Sequence, residues 1–241
     1  MKIEGARRLG ECIAERVSIG RLTDADDLLK PVLAERMPFR LLDVMGARIG
    51  DLPMDQLDAF LERVAAQRTM GGWVIIGSAL RQQLACDVQN TLEKCREYII
   101  LANIWHGVDA MGERVTGQAL VNSFELTLKV LAPWREDASP WVRHAVGVAV
   151  HFWAKHAHGK RVYLPHVLTL LAFVEPLFSE QDITAVKGVG WGLKTLGKYY
   201  PQEVSEWLMH QTKREHRALM LRKAMTYLPD ENRLRITEKT A

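Results

Sequence analysis

Trp105 and Asp109 stand four residues apart in Asn103-Ile-Trp-His-Gly-Val-Asp109. On a helix that spacing puts a large aromatic face and a carboxylate on one side, which suggests a nucleotide sugar as the ligand. Val115-x-Gly117 follows closely. A second set lies further on, where Lys187, Trp191, Lys194 and Lys198 fall at i, i+4, i+7 and i+11. Val186, Val189, Leu193 and Leu196 occupy largely another side of that helix, so Trp191 is expected to be partly exposed within a lysine stripe. Basic residues interleaved with an aromatic suit binding to phosphates and a sugar or base.

A third stripe runs from Pro140 to about Ala157. Trp141, Ala145, Val148 and Phe152 have the spacing of a core-facing side. His144, His151, Lys155 and His158 recur on another side at intervals of seven, four and three, with Arg143 beside them. That side reads either as a cationic binding face or as a plain solvated one. The helix from about Glu180 to Tyr199 also holds Gly188, Gly190, Gly192 and Gly197. Each costs on the order of 1 kcal/mol relative to alanine. Close helix packing would offset that cost, and so would close approach of a DNA backbone.

Helices must position all three sets, because nearly every readable period is helical and no long run alternates apolar and polar residues. Breakers recur at Gly20 to Thr23, Pro38, Asp51 to Pro53, Gly71-Gly72, Pro133, Ser139-Pro140, Gly159, Pro165, Ser179, Pro201 and Pro229. Ser139-Pro140 supplies an N-cap and a first-turn proline, and Ser179-Glu-Gln-Asp182 resembles a capping box. The expected fold is all-α, an α-α superhelix (solenoid) of HEAT-like helical hairpin repeats without a strict sequence period. It forms a single domain over residues 1–241, with a disordered tail expected from about residue 230.

The chain has 241 residues, 48% of them hydrophobic and 25% charged, enough for a substantial core. Its net charge of +3 is unevenly divided. Residues 1–142 hold 17 Lys+Arg against 20 Asp+Glu, and residues 143–241 hold 15 against 9, so the two parts carry −3 and +6. An anionic partner would meet the later part first. Cys12, Cys86 and Cys95 lack C-x-x-C spacing, which argues against a disulfide framework or a zinc site and for buried or inert thiols. The histidines do not pair at the i, i+4 spacing of helical zinc ligands, so no metal is expected. No run approaches the roughly 18 uncharged apolar residues of a membrane span, and a cytoplasmic protein is expected.

In their order and spacing, four motifs resemble those of the AlkD-like DNA alkylation repair family. They are Trp105-x-x-x-Asp109 with Val115-x-Gly117, Trp141-Val-Arg-His-Ala145, Lys187-x-x-Gly190-Trp191-x-Leu193, and Leu221-Arg-Lys-Ala-Met-Thr-Tyr-Leu228. Arg40-Leu-Leu-Asp-Val-Met and Trp73-Val-Ile-Ile-Gly-Ser-Ala79 agree more loosely. The resemblance implies a base excision repair glycosylase built of helical repeats that removes positively charged N3- and N7-alkylated purines from double-stranded DNA. It implies that Asp109 stabilises positive charge developing on the deoxyribose and that Trp105 and Trp191 flank the damaged nucleotide. Arg143, His144, His151, Lys155, Lys187, Lys194 and Lys198 are expected to form the DNA-facing shell. A cationic purine is already a good leaving group, so a carboxylate and shielding aromatics can suffice without a general acid. A monomer, nucleoid-associated when bound to DNA and without cofactor, is expected.

One position departs from the family's W-x-R-R pattern, since its second basic residue is here His144. Histidine is shorter, largely neutral at pH 7 and cannot make arginine's bidentate phosphate contact. The departure supports a second reading, a non-catalytic repeat protein that binds damaged or branched DNA. A third is a protein-interaction scaffold with no nucleic-acid role.

Overall fold

The computed structural model describes residues 1–238, and these are all-α, with no strand among them. Backbone contacts divide the chain into two compact units, Met1–Val115 and a second that begins at Thr116.

The first unit contains α1 (Ile3–Ser18), α2 (Leu22–Ala34), α3 (Phe39–Ile49), α4 (Met54–Ala66), α5 (Met70–Gln83), α6 (Val88–Ala102) and α7 (Trp105–Met111). In α1 the buried residues Ala6, Gly10, Ile13 and Val17 recur at intervals of four, three and four, one stripe of a 3.6-residue helix. In α5 every residue from Gly72 to Leu80 is buried, as in a helix enclosed on all sides. It packs on α3 and α7 in its own row and on α2, α4 and α6 in the other. Backbones touch within the row: a Cβ at Gly46 would lie 2.6 Å from the Ile75 carbonyl oxygen, and one at Gly50 2.4 Å from that of Ala79.

The second unit contains α8 (Gln118–Asn122), α9 (Phe124–Leu131), α10 (Pro140–Ala157), α11 (Leu164–Val174), α12 (Ile183–Tyr199), α13 (Pro201–Gln211), α14 (Ala218–Ala224) and α15 (Asp230–Glu238). Here α10, α12 and α14 pack in succession, and α11, α13 and α15 form the second row. Each unit therefore has the two-row layout of stacked helical hairpins. In place of the disordered tail expected from about residue 230, α15 is helical to Glu238 and buries Ile236. The rest of that expected tail, residues 239–241, lies outside the described residues.

The start of α10 is as expected, with Ser139 at the N-cap and Pro140 in the first turn. The start of α12 is not, because Ser179 ends a 3-10 turn, Glu175–Ser179. Asp182 is the cap instead, its carboxylate accepting from the Thr184 and Ala185 amides at 2.7 and 3.4 Å. A carboxylate that reaches two of the helix's unpaired amides is a strong N-cap.

One stretch, Arg161–Ser179, is long and apolar enough by composition to cross a membrane, with mean hydropathy 1.5, contrary to the expectation that none is. It is broken into a 3-10 turn, α11 and another 3-10 turn, and α11 spans roughly 17 Å, about half a hydrocarbon core. Of the thiols, Cys95 is buried and Cys12 and Cys86 are exposed.

Candidate functional site

In the first unit, α6 ends at Asn103, whose left-handed backbone (φ 48°) turns the chain, and α7 starts two residues later at Trp105. Gly107 lets α7 lie close to α5, since a Cβ there would be 3.2 Å from the Trp73 ring and 2.8 Å from Ala102 Cβ. The turn leaves Trp105 59% exposed, its ring edge-to-face with His106 at 5.5 Å. Asp109, one turn on, is half-buried. A buried Trp would have been the ordinary outcome for so large a side chain. A π-helical turn, Gly112–Gly117, follows and contains the Val115-x-Gly117 motif, a wide turn that is frequent at functional sites.

The same unit holds a polar network that the sequence did not announce. Asp43 on α3 accepts from Ser78 Oγ at 2.7 Å and from Arg114 Nε at 2.7 Å, and the Arg114 guanidinium lies 5.7 Å from the centre of the Phe39 ring. Asp43 and Ser78 line a groove of about 220 Å³ with Arg40 and Arg81. The only sequence trace of this network is the pair of loosely matched segments that contain Asp43 and Ser78.

In the second unit, α12 carries its stripe as expected: Lys187 and Lys198 are exposed, Trp191 and Lys194 half-exposed, while Val186, Val189, Leu193 and Leu196 are buried. The glycines answer to helix packing. A Cβ at Gly188 would lie 2.4 Å from the His144 carbonyl oxygen, and one at Gly192 2.6 Å from that of Gly147. Gly190 faces α14, where its Cβ would lie 2.7 Å from Lys223 Cδ.

The polar side expected on α10 turns inward for its two central histidines. His144 and His151 are only 6% and 7% exposed, because α10 is apolar all round, with Val142, Val146, Val150 and Trp153 buried as well as Ala145 and Val148. His144 Nδ1 donates to the Thr184 carbonyl at 2.8 Å. Thr195 donates its one hydroxyl hydrogen to the Trp191 carbonyl at 3.0 Å and so accepts from His151 Nδ1 at 2.7 Å. The His151 ring stacks on Trp191 with centroids 3.8 Å apart, fixing the plane that Trp191 presents.

Arg143 is equally committed. Its guanidinium meets Glu180 at 2.6 and 3.4 Å and donates to the Asp137 carbonyl, with the side chains of Arg143 and Glu180 only 17% and 10% exposed. Lys155 is exposed in the last turn of α10, where a cation complements the helix dipole.

Two further residues join the stripe on α12. Lys223 on α14 is half-buried, and its ammonium pKa is lowered first by burial and then by the charges of Lys194, Lys187 and Arg222. Tyr227 lies under two lysines, with Lys194 Nζ 4.8 Å and Lys198 Nζ 5.7 Å from its ring centre. Both residues sit in the motif quoted from Leu221 to Leu228, but helical spacing on one element cannot show which residues of another join its stripe. Five cations on α12 and α14, two of them over the Tyr227 ring, suit the phosphates of an anionic partner.

The structure thus brings Trp105 together with Asp109 in one unit. In the other it gathers Lys187, Trp191, Lys194 and Lys198 with His151, and turns Arg143 and His144 into the helix packing. No curated protein and no solved structure matches the chain. A family model described as DNA alkylation repair enzyme does match, over residues 52–228, a span that takes in α7, α10, α12 and α14, and the chain belongs to that family.

Proposed function

We propose that the protein is a DNA glycosylase that excises cationic N3- and N7-alkylated purines from duplex DNA. The observation that carries the reading is α7, where an exposed Trp105 stands one turn from a half-buried Asp109 in a chain of a DNA alkylation repair family. Asp109 stabilises the positive charge that grows on the deoxyribose as the glycosidic bond breaks, and Trp105 covers the sugar. Electrostatic help of this kind is worth about 3–4 kcal/mol in other sites. In the second unit the lysines of α12 hold phosphates, and Trp191, braced by His151, offers an aromatic face to the DNA.

The test is release of N3- and N7-methylated purines from methylated duplex by wild type and by Asp109→Asn. Release that falls at least about tenfold in the variant, roughly 1.4 kcal/mol in the barrier, is the expected result. A second reading, a repeat protein that binds damaged or branched DNA without excision, is favoured by the engagement of Arg143 with Glu180 and of His144 with Thr184. Equal affinity for damaged and undamaged branched DNA, with no base released by wild type while a control glycosylase releases it, would establish that reading instead.

A further inference from the structure

We propose that Lys223 is an amine nucleophile that forms an imine with the open-chain sugar of an abasic site and cleaves the strand on its 3′ side. The proposal rests on the glycosylase reading only for the origin of the abasic site. Lys223 stands near the end of α14, and its stem lies in a slot that exists because residue 190 is glycine, the Gly190 Cβ position being 3.0 Å from Lys223 Cβ and 2.7 Å from Cδ. Gly190 faces α14, and Tyr227, four residues after Lys223, lies under Lys194 and Lys198, so the amine belongs to the cluster of cations shared by α12 and α14. Lys187, Lys194 and Arg222 surround it closely enough to disfavour its charge. A half-desolvated amine among cations is a recognised route to a neutral, nucleophilic lysine.

The same cations that suppress its proton attract the phosphates flanking a lesion, and an aromatic face is suited to the gap left by a missing base. The neutral Nζ adds to the C1′ aldehyde, and the carbonyl oxygen leaves as water with two protons, one from the amine and one from solution, giving a protonated imine. C2′ then gives a proton to solvent, its electron pair becomes the C2′–C3′ double bond, and the C3′–O bond breaks to release a phosphate monoester. Water hydrolyses the imine, which returns the amine and leaves an unsaturated aldehyde. No oxidant or reductant is consumed.

The experiment uses a duplex with one preformed abasic site, so base excision is not required, at protein concentrations that saturate the duplex. Borohydride trapping and strand cleavage are read for wild type, Lys223→Met, which keeps the stem, and Lys223→Arg, which keeps the charge, with thermal unfolding as a check on both variants. The expected result is a covalent adduct and a 3′ nick with wild type, both reduced at least about tenfold in the two variants. No adduct with wild type while a control lyase is trapped would overturn the proposal, as would an adduct that persists in both variants. A protein that releases methylated purines yet traps no abasic DNA refutes this step alone; one that traps abasic DNA yet releases no purine refutes the glycosylase reading alone.

Discussion

At the scale of single residues, the two basic positions after Trp141 show how a sequence motif and a structural role separate. Arg143 has a charge that DNA would attract, but Glu180 meets it inside the unit, and Glu180 also accepts from the Gln181 and Asp182 amides at 2.9 and 2.7 Å. The guanidinium therefore ties α10 to the loop that starts α12. Lysine keeps the charge but cannot make the forked contact. Arg143→Lys is expected to cost about 1.5–3 kcal/mol in urea unfolding while changing duplex affinity by no more than about threefold. A tenfold loss of affinity at unchanged stability would put the guanidinium on DNA. His144 takes the inward course, and the long side chain of an arginine would have to leave the space it fills against Gly188. Its aromatic neighbour Trp141, 5.6 Å away between centroids, is half-buried.

At the scale of elements, α12 is held between α10 and α14 by missing side chains. Gly188→Ala would gain about 1 kcal/mol of helix propensity, yet the new methyl meets the His144 backbone at 2.4 Å, and neither helix can withdraw from an enclosed position. A net loss of about 1–3 kcal/mol is expected, read as a lower urea midpoint; a gain would show that the helices can separate at little cost. On α6, burial raises the pKa of the Cys95 thiol, and burial followed by the charges of Asp58, Glu62 and Glu97 raises that of the Tyr98 phenol. Both are acids held neutral in the folded state, so their contribution is complete below the ordinary values of 9.0 and 10.0 and is lost as pH rises past them. Unfolding free energy should fall above pH about 9 by as much as about 1.4 kcal/mol per unit and group, and Cys95→Ala with Tyr98→Phe should flatten that fall. The stripe on α12 was legible because its apolar and basic residues separate cleanly at a 3.6-residue period, and its glycines signalled packing without naming the partner. The face of α10 was misread for the opposite reason. Buried apolar residues occupy nearly every side of that helix, so its two central histidines, His144 and His151, lie inside whichever side they fall on, and only the neighbouring helices reveal it. Lys223 and Tyr227 were out of reach of periodicity because their place in the site depends on α14 lying against α12.

At the scale of the whole molecule, charge is the property that belongs to no single contact. Residues 1–142 carry −3 and residues 143–241 carry +6, and the structure concentrates Lys187, Lys194, Lys198, Arg222 and Lys223 on α12 and α14, where burial first and then the charges of Lys194, Lys187 and Arg222 lower the pKa of the Lys223 ammonium. Cations held together against their own repulsion are stabilised by any polyanion laid across them, and a duplex does so by releasing its own counterions. The logarithm of the binding constant should then fall with the logarithm of salt by about 0.9 for each phosphate neutralised. Replacing Lys187, Lys194, Lys198 and Lys223 together by glutamine should flatten that slope by roughly 3 units, the share of the three lysines of α12. Neutralising Lys30 and Lys129, exposed lysines of the acidic part, should leave it unchanged. An equal response to both sets would mean that only net charge matters, since two diffuse charges would then do the work of a built cluster. An unchanged slope in the fourfold variant, with wild type still bound, would move the phosphate track off α12 and α14, and with it the reason for Trp191 to stand among lysines.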